Sequence, residues 1–215
     1  MEIDHLIIFS DNQGREADEL IEFGLVEGSS RVHPGQGTRN RKFYFENVFL
    51  EFIWVISKRK VKSKLTAPTR LWERANHRQN GSAPFGLCLG NTDDSIDLFK
   101  NSIKYKPVYL PEEYAFDIIT NEDRPYLPWI CRVPISSREL IRNEPTNHPA
   151  GVKKLTKVIF GIPVQMDRNH STEFFRPASK ITFEHSDRYR MTLEFDNNKK
   201  AAVKKFGDIP LTILH

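Results

Sequence analysis

The stretch Ile3-Asp-His-Leu-Ile-Ile-Phe9 begins a series of short segments whose order decides the fold. Its run of apolar, largely branched residues predicts a strand. The spacing of Ala17, Leu20 and Ile21 then predicts a helix with one buried stripe. Gly24 follows at the place where a helix commonly ends in a left-handed residue. The chain therefore opens with a strand and a helix.

Three further strands follow the first helix. We predict them at residues 25–32, 39–45 and 49–56, with a turn at residues 33–38 between the first two. The segment at residues 39–45 alternates between two faces, with Arg39, Arg41, Phe43 and Phe45 on one of them, which is typical of a strand. Residues 1–57 are therefore predicted to form one β-α-β-β-β module.

A connector is predicted over residues 58–81. It starts with the densest basic run of the chain, residues 58–64, which we interpret as solvated surface because charge runs mark exposed chain. Pro68 can then open a helix that buries Leu71, Trp72 and Ala75. This helix would bridge the first module to the rest of the chain.

The order β-α-β-β-β returns in degenerate form over residues 82–135, with a helix at 94–103 and strands at 85–89, 106–110, 114–120 and 126–133. A C-terminal αβ segment, residues 136–215, is expected to pack on the same sheet and to complete it, with residues 211–214 at the last edge. One module cannot bury both its helix and its sheet. The predicted fold class is therefore α+β, with paired β-α-β-β-β modules that form an incomplete barrel and an additional C-terminal αβ segment.

Composition and charge exclude several classes of protein. The chain has 215 residues, of which 39% are apolar and 28% charged, so it is neither disordered nor fibrous. Its 32 basic residues are largely offset by 28 acidic ones. Because this surplus is small and no zinc-finger, helix-turn-helix or RNP pattern is present, the sequence does not favour a nucleic-acid partner.

The cysteines and the apolar segments indicate the cellular compartment of the protein. Cys88 and Cys131 lie in apolar runs without CxxC spacing, and we interpret them as buried free thiols of a reducing compartment, with no partners for a metal cluster. Burial in a strand would raise the pKa of Cys88, so we do not expect it to be a nucleophile. No apolar stretch approaches the roughly 20 residues of a membrane span. We expect a cytoplasmic protein without membrane contact.

Six short segments carry a resemblance to a known superfamily. They are Ile-Asp-His-Leu-Ile-Ile at residues 3–8, His-Pro-Gly-Gln-Gly-Thr-Arg-Asn at 33–40, Phe-Leu-Glu-Phe-Ile-Trp at 49–54, Gly-Leu-Cys-Leu at 86–89, Leu-Pro-Trp-Ile at 127–130 and Asn-His-Pro-Ala-Gly at 147–151. Together they resemble the vicinal oxygen chelate superfamily and, within it, the glyoxalase-like domain group. The resemblance implies a small-molecule-binding protein, either a metal-dependent lyase, isomerase or dioxygenase acting on a small oxygenated metabolite, or a non-catalytic, resistance-type protein that sequesters a small molecule without metal.

The resemblance also implies a metal site at His5 and Glu51. In metal-using members a first-strand histidine and a fourth-strand glutamate of each module hold one divalent ion, and the first module here keeps both. By strand alternation His5 shares a face with Ile3 and Ile7, and Glu51 is likewise placed among apolar neighbours. Since a buried carboxylate costs several kcal/mol unless it is paired or bound to a cation, we expect His5 and Glu51 to be the catalytic and metal-binding residues.

The second module lacks the matching pair. Gly86 falls where the histidine would be, and Pro128 or Ile130 falls where the glutamate would be. The cofactor therefore stays open between one divalent ion (zinc, nickel, manganese or iron) and no metal, in which case His5 and Glu51 would form a buried pair. Further ligands could come from a neighbouring chain in a homodimer, or from His148, Glu184 or Glu194.

The loop at residues 33–38 is the second candidate for function. Its two glycines permit unusual backbone angles, and its side chains offer donors for an anion or a carbonyl. A tight β-turn without ligand is the equally weighted alternative. We expect the ligand in the first module's concavity, between the strands of His5 and Glu51, in contact with His33, Gln36, Gly37, Thr38, Asn40, Arg41, Trp54 and His148.

Overall fold

Two sheets organise the computed structural model, which describes residues 2–136, 141–165, 170–175 and 180–215. The strands of the first sheet are β1 Ile3–Phe9, β2 Val32–His33, β3 Thr38–Tyr44, β4 Phe49–Val55, β5 Phe85–Leu89, β6 Ile103–Tyr105, β7 Phe116–Ile119 and β8 Trp129–Arg132. Those of the second are β9 Leu155–Ile162, β10 Ile181–His185, β11 Arg190–Phe195, β12 Val203–Lys205 and β13 Leu211–Leu214.

The first sheet consists of two halves with the same topology. Its strand order is β2-β3-β4-β1-β5-β8-β7-β6. In the first half β1 runs parallel to β4, in the second half β5 runs parallel to β8, and the halves meet through the antiparallel pair β1 and β5. The sheet curls into a half-barrel. These are the predicted paired modules, and the α+β fold class with an incomplete barrel is confirmed.

The helices are short, namely α1 Asp18–Glu22, α2 Lys58–Val61, α3 Leu71–Ala75, α4 His77–Asn80 and α5 His170–Phe175. Ala17 and Leu20 are fully buried as predicted, but Ile21 is 45% exposed because α1 is little more than one turn. In α2 the basic side chains are exposed while Val61 is buried. Within the described ranges, no helix has the length and apolar character to cross a membrane.

The helix predicted at residues 94–103 is wrong. Two 3₁₀ turns, Asp93–Ser95 and Asp97–Phe99, stand in its place. The Ser95 hydroxyl donates to the Thr92 carbonyl at 2.7 Å, and Thr92 donates to the Asp94 carboxylate at 2.6 Å. Such local side-chain hydrogen bonds compete with a regular helix.

Two predicted strands also differ. Residues 25–31 are irregular instead of forming a strand. In this segment the main chain at Gly28 passes so close to Tyr44 that a Cβ at Gly28 would lie 2.5 Å from the tyrosine ring. The strand predicted at 106–110 is found earlier, as β6, since Pro107 and Pro111 provide no main-chain donor for a ladder.

The C-terminal segment forms a sheet of its own instead of completing the first. Its order is β10-β9-β11-β13-β12, so β13 lies inside the sheet and the expected edge position of residues 211–214 is wrong. This second sheet packs on the convex face of the first, with ring centroids 4.5 Å apart for Phe45 and Phe195 and 5.9 Å for Phe85 and Phe160. The predicted domain bounds stay predictions.

Strand alternation gives the first sheet two different faces, one in the core between the sheets and one on the concave side. Leu6 and Ile8 of β1 belong to the core between the sheets, while His5 and Ile7 face the concave side. Ile3 packs against the core between the two sheets, contrary to prediction. The reason is a register shift between Ile3 and His5, which changes the face on which the side chains lie. The concave face therefore starts at His5.

Candidate functional site

The concave side of the first sheet encloses a cavity of about 420 Å³. Both halves of the sheet line it, and its size falls in the range usual for small-ligand sites, roughly 300–1,000 Å³. Polar side chains from β1 to β4 form one wall. The opposite wall is mainly apolar and aromatic, with Leu71, Phe116, Trp129 and Val133.

His5 is held in a single orientation on β1. Its Nδ1 lies 2.7 Å from the Asp4 carboxylate, and its ring stacks on Phe49 with centroids 4.4 Å apart and an interplanar angle of 12°. Its other nitrogen, Nε2, lies 3.6 Å from Oε2 of Glu51. Asp4 therefore fixes the ring so that Nε2 faces the glutamate, and the predicted proximity of His5 and Glu51 is present.

Glu51 of β4 is a buried carboxylate at the cavity wall. Its Oε1 accepts a hydrogen bond of 2.5 Å from Nδ2 of Asn40, whose own Oδ1 accepts from the Arg31 main-chain N–H at 2.8 Å. Burial alone would raise the pKa of Glu51, but its neighbours His5 and His33, the Asn40 hydrogen bond and the Lys42 ammonium together lower the pKa. Glu51 is therefore ionised at neutral pH.

His33 of β2 faces the same carboxylate from the other side. Its Nε2 lies 3.8 Å from Oε1 of Glu51, and its Nδ1 lies 2.8 Å from Oγ1 of Thr38. Desolvation by burial is the largest effect on this ring, and it lowers the pKa of His33 from 6.5 to about 4 despite the charge of Glu51. His33 is therefore neutral at physiological pH.

Gln36 links the two halves of the sheet across the cavity. Its Nε2 donates to Oγ1 of Thr38 at 2.8 Å, and its Oε1 accepts from the hydroxyls of Tyr105 at 3.2 Å and Tyr109 at 3.0 Å. The two tyrosines come from the second half. The loop at residues 33–38 is therefore both a turn and part of the cavity wall.

Two cations border the cavity without a carboxylate at ion-pair distance among the described residues. The guanidinium of Arg31 lies 5.0 Å from the centroid of the Tyr109 ring, and Nζ of Lys42 lies 5.1 Å from that of Tyr44. Burial lowers the pKa of Lys42, although Glu51 opposes this effect. This part of the wall is suited to an anionic group.

The two cysteines come together beside His5. Cys88 and Cys131 are direct register partners on β5 and β8, and Cys88 is also paired with His5 of β1. Both are buried and free, as predicted. The expectation that they have no metal-ligand partners is wrong, because a ring nitrogen of His5 and both sulfurs lie within 4.8 Å of one another.

The predicted counterparts in the second half need a correction at β8. Ile130 belongs to the core between the sheets, so its side chain faces away from the cavity. The residues of β8 that line the cavity are Trp129 and Cys131. Neither carries a carboxylate, which agrees with the expected absence of a second glutamate.

Two predicted ligand contacts lie away from the cavity. Arg41 is held by the carboxylates of Glu27 at 2.6 Å and Asp18 at 2.7 Å, on the far face of β3. Trp54 packs against Gly14 and borders a separate depression. Both residues stabilise the outer side of the first half.

Three other predicted contacts have structural partners. His148 receives the Val26 N–H on Nδ1 at 3.0 Å and donates from Nε2 to the Tyr44 carbonyl at 2.7 Å, outside the cavity lining. Gly37 (φ 81°) packs so close to the chain that a Cβ would lie 2.7 Å from the Ser57 carbonyl. Thr38 positions His33 and Gln36. Of the predicted contacts, those that line the cavity are His33, Gln36 and Asn40, besides His5 and Glu51.

Sequence reasoning missed Cys88, Cys131, the basic pair Arg31 and Lys42, and the tyrosines 105 and 109. The alternation of Gly86-Leu-Cys-Leu89 was a usable signal, because it places Cys88 on the face opposite to the outer core. Lys42 gave the same kind of signal, because it lies two residues after Asn40 in β3. Arg31, Tyr105 and Tyr109 gave none, because they lie in or next to irregular chain.

Comparisons with known proteins support the fold. No protein-family model matches the sequence, and no curated protein is significantly similar to it. The crystal structure of a hypothetical protein from Staphylococcus aureus is similar with a TM-score of 0.56 and 11% identity, over 99% of this chain and 97% of that one. A mutant of 4-hydroxymandelate synthase from Streptomyces coelicolor gives a TM-score of 0.44 at 14% identity, over 99% of this chain and 61% of that one. The similarity to the staphylococcal structure shows a shared fold.

Proposed function

We propose that this protein binds a small oxygenated molecule with an anionic group in the cavity and transfers a proton on it, as a glyoxalase-like lyase or isomerase. The observation that carries the proposal is Glu51, a buried carboxylate that is ionised and lines a cavity of ligand size. An ionised carboxylate in reach of a bound molecule can act as a general base.

The surroundings of Glu51 assign different tasks to its two oxygens. Oε1 is engaged by Asn40, while Oε2 has His5 Nε2 at 3.6 Å as its neighbour. Oε2 is therefore the oxygen that would accept a proton from carbon next to a ligand carbonyl. The ammonium group of Lys42 lines the same cavity and would stabilise the negative charge that then develops on the ligand.

The basic pair at the wall indicates the class of ligand. Arg31 and Lys42 would bind a carboxylate or a similar anionic group, and the aromatic wall would cover the apolar part of the molecule. Placing the anionic group near Lys42 would restore the charge compensation that burial removes.

A fold of this type implies a divalent ion, and His5 and Glu51 fit one. Their facing atoms are 3.6 Å apart, a spacing that would let both residues hold one ion; Oε2 of Glu51 would then be a metal ligand instead of the proton acceptor. When bound, such an ion would polarise an oxygen of the ligand as a Lewis acid.

Non-catalytic binding of a small molecule is the second candidate. The observation that favours it is the second half of the sheet, which presents Trp129, Cys131 and Val133 to the cavity and no carboxylate among the residues described there. Sequestration would use the same cavity but would leave the ligand unchanged.

The test is a binding and exchange experiment. Purified protein is screened by thermal shift against small 2-oxo and 2-hydroxy carboxylic acids, and binders are incubated in D₂O and followed by proton NMR. We expect deuterium to enter at the carbon next to the carbonyl. Glu51→Gln should abolish this exchange while the exposed control Glu46→Gln retains it.

Each result decides between the candidates. Binding without exchange in both the wild type and Glu51→Gln would reject proton transfer and support sequestration. Exchange that survives in Glu51→Gln would reject Glu51 as the base. If no acid of the panel raises the melting temperature, the proposed ligand class is wrong.

A further inference from the structure

We infer that His5, Cys88 and Cys131 form a site for a thiophilic divalent ion of the zinc class at the inner end of the cavity. This inference rests on the proposed function, because it assumes that the cavity binds the ligand. It deepens that function by replacing the metal ligands His5 and Glu51 with His5 and two cysteine sulfurs. The three residues come from β1, β5 and β8, the adjacent central strands of the sheet.

The distances are close to those of a bound ion. One ring nitrogen of His5 and the two Sγ atoms lie within 4.8 Å of one another. In a tetrahedral zinc site with Zn–S bonds of ~2.3 Å, two sulfurs are about 3.8 Å apart. The upper limit on the spacing of the three ligand atoms is therefore within about 1 Å of the spacing in a zinc site.

The orientation of His5 is the second observation that points to a metal. Its Nδ1 faces the Asp4 carboxylate at 2.7 Å, which leaves Nε2 as the ring nitrogen available to an ion. Histidines that ligate zinc usually have their other nitrogen on a carboxylate or a carbonyl, which fixes the tautomer and strengthens the ligand. Asp4 would therefore act as a positioning residue for this site.

Charge balance favours the same ion. Both thiols are free and buried. A divalent ion that displaces one proton from each thiol forms a unit of no net charge, which is compatible with the buried setting. Two thiolates and one imidazole select zinc-like ions over Mg²⁺ or Ca²⁺, which prefer oxygen ligands.

The site would leave one position open. Three protein ligands on a tetrahedral ion are the arrangement of catalytic rather than structural zinc, with the fourth position for water or substrate. His5 lines the cavity and has Glu51 at 3.6 Å, so the open position would face the bound molecule next to the proposed base.

The experiment is Co²⁺ titration of reduced, chelator-treated protein. Thiolate ligands give Co²⁺ an intense near-ultraviolet charge-transfer band, and the chain contains only the two cysteines, so no other thiol can produce it. We expect one Co²⁺ per chain with this band. The double variant Cys88→Ala, Cys131→Ala should lose the band, whereas His185→Gln, an exposed histidine, should keep it.

Two further measurements do not depend on the folding of the cysteine variant. In the wild type, Zn²⁺ but not Mg²⁺ should protect both thiols from a thiol reagent. Asp4→Asn should weaken Co²⁺ binding by about 10–100-fold, the usual effect of losing an outer carboxylate.

Three results would overturn the inference. They are Co²⁺ binding without a thiolate band, equal thiol protection by Mg²⁺ and Zn²⁺, and a disulfide between Cys88 and Cys131 in protein kept with reductant. Glu51→Gln should keep the band even though it loses deuterium exchange. The metal site and the proposed proton transfer can therefore fail independently.

Discussion

Replacement of Arg74 tests what holds the second half of the sheet against the first. Arg74 of α3 is 2% exposed, and its guanidinium donates to four main-chain carbonyls: Ala83 at 3.3 Å, Pro125 and Leu127 at 2.8 Å, and Thr120 at 2.6 Å. Three of these carbonyls lie in the loop that leads into β8. One side chain therefore positions the strand that brings Trp129 and Cys131 to the cavity.

The expected loss of stability on replacing Arg74 follows from these hydrogen bonds and from the burial of the guanidinium charge. Hydrogen bonds to a charged group contribute about 1.5–3 kcal/mol each, so four give roughly 6–12 kcal/mol. Desolvation by burial lowers the pKa of Arg74 to about 10, which offsets this gain by about 3 kcal/mol. Because water can reach some carbonyls after the change, we expect Arg74→Met to destabilise the protein by about 3–5 kcal/mol.

Urea unfolding followed by circular dichroism measures this change. The control is Arg78→Met on the neighbouring α4, whose side chain is 69% exposed and paired with Asp11, and which should cost less than about 1 kcal/mol. If Arg74→Met costs no more than Arg78→Met, the buried carbonyl network does not stabilise the loop. A cost in stability without loss of ligand binding would show that β8 keeps its place without Arg74.

Three other predictions follow from particular contacts. The pKa of His33 is about 4 in the folded state and 6.5 in the unfolded state, so the unfolded state binds more protons as the pH falls from 6.5 to 4. We expect this difference to lower the free energy of unfolding by up to about 3 kcal/mol over that range. Ring-proton NMR titration measures the pKa of His33, and an ordinary value near 6.5 would contradict the prediction. Gly86→Ala should cost about 1–3 kcal/mol in urea unfolding, since its Cβ would lie 2.9 Å from that of Ile7; a neutral change would show that β1 and β5 can separate there. His148→Ala should lower the free energy of unfolding by about 1–3 kcal/mol, because the Val26 N–H and the Tyr44 carbonyl lose their hydrogen-bond partner. Ligand affinity should not change, and a weaker affinity in calorimetry would instead place His148 in contact with the ligand.

The sequence by itself determined the order of the strands and most of the inward face of the first half. Strand alternation is a local property with a period of two residues, so His5 and Ile7 of β1 could be assigned to one face without a tertiary structure. The same rule failed at Ile3, where a register shift turned the chain over. Local hydrogen bonds also overrode the helical pattern after residue 92.

The tertiary structure alone decided which inward residues meet. Cys88 and Cys131 are far apart in the chain, and their contact with each other and with His5 depends on β1, β5 and β8 being neighbours in the sheet. Arg41 and His148 looked like ligand contacts because their chemistry suits a ligand, but partners from distant chain occupy them. Spacing along a strand fixes the face on which a side chain lies, whereas its partner depends on strand pairing and register, which are set by packing between distant segments.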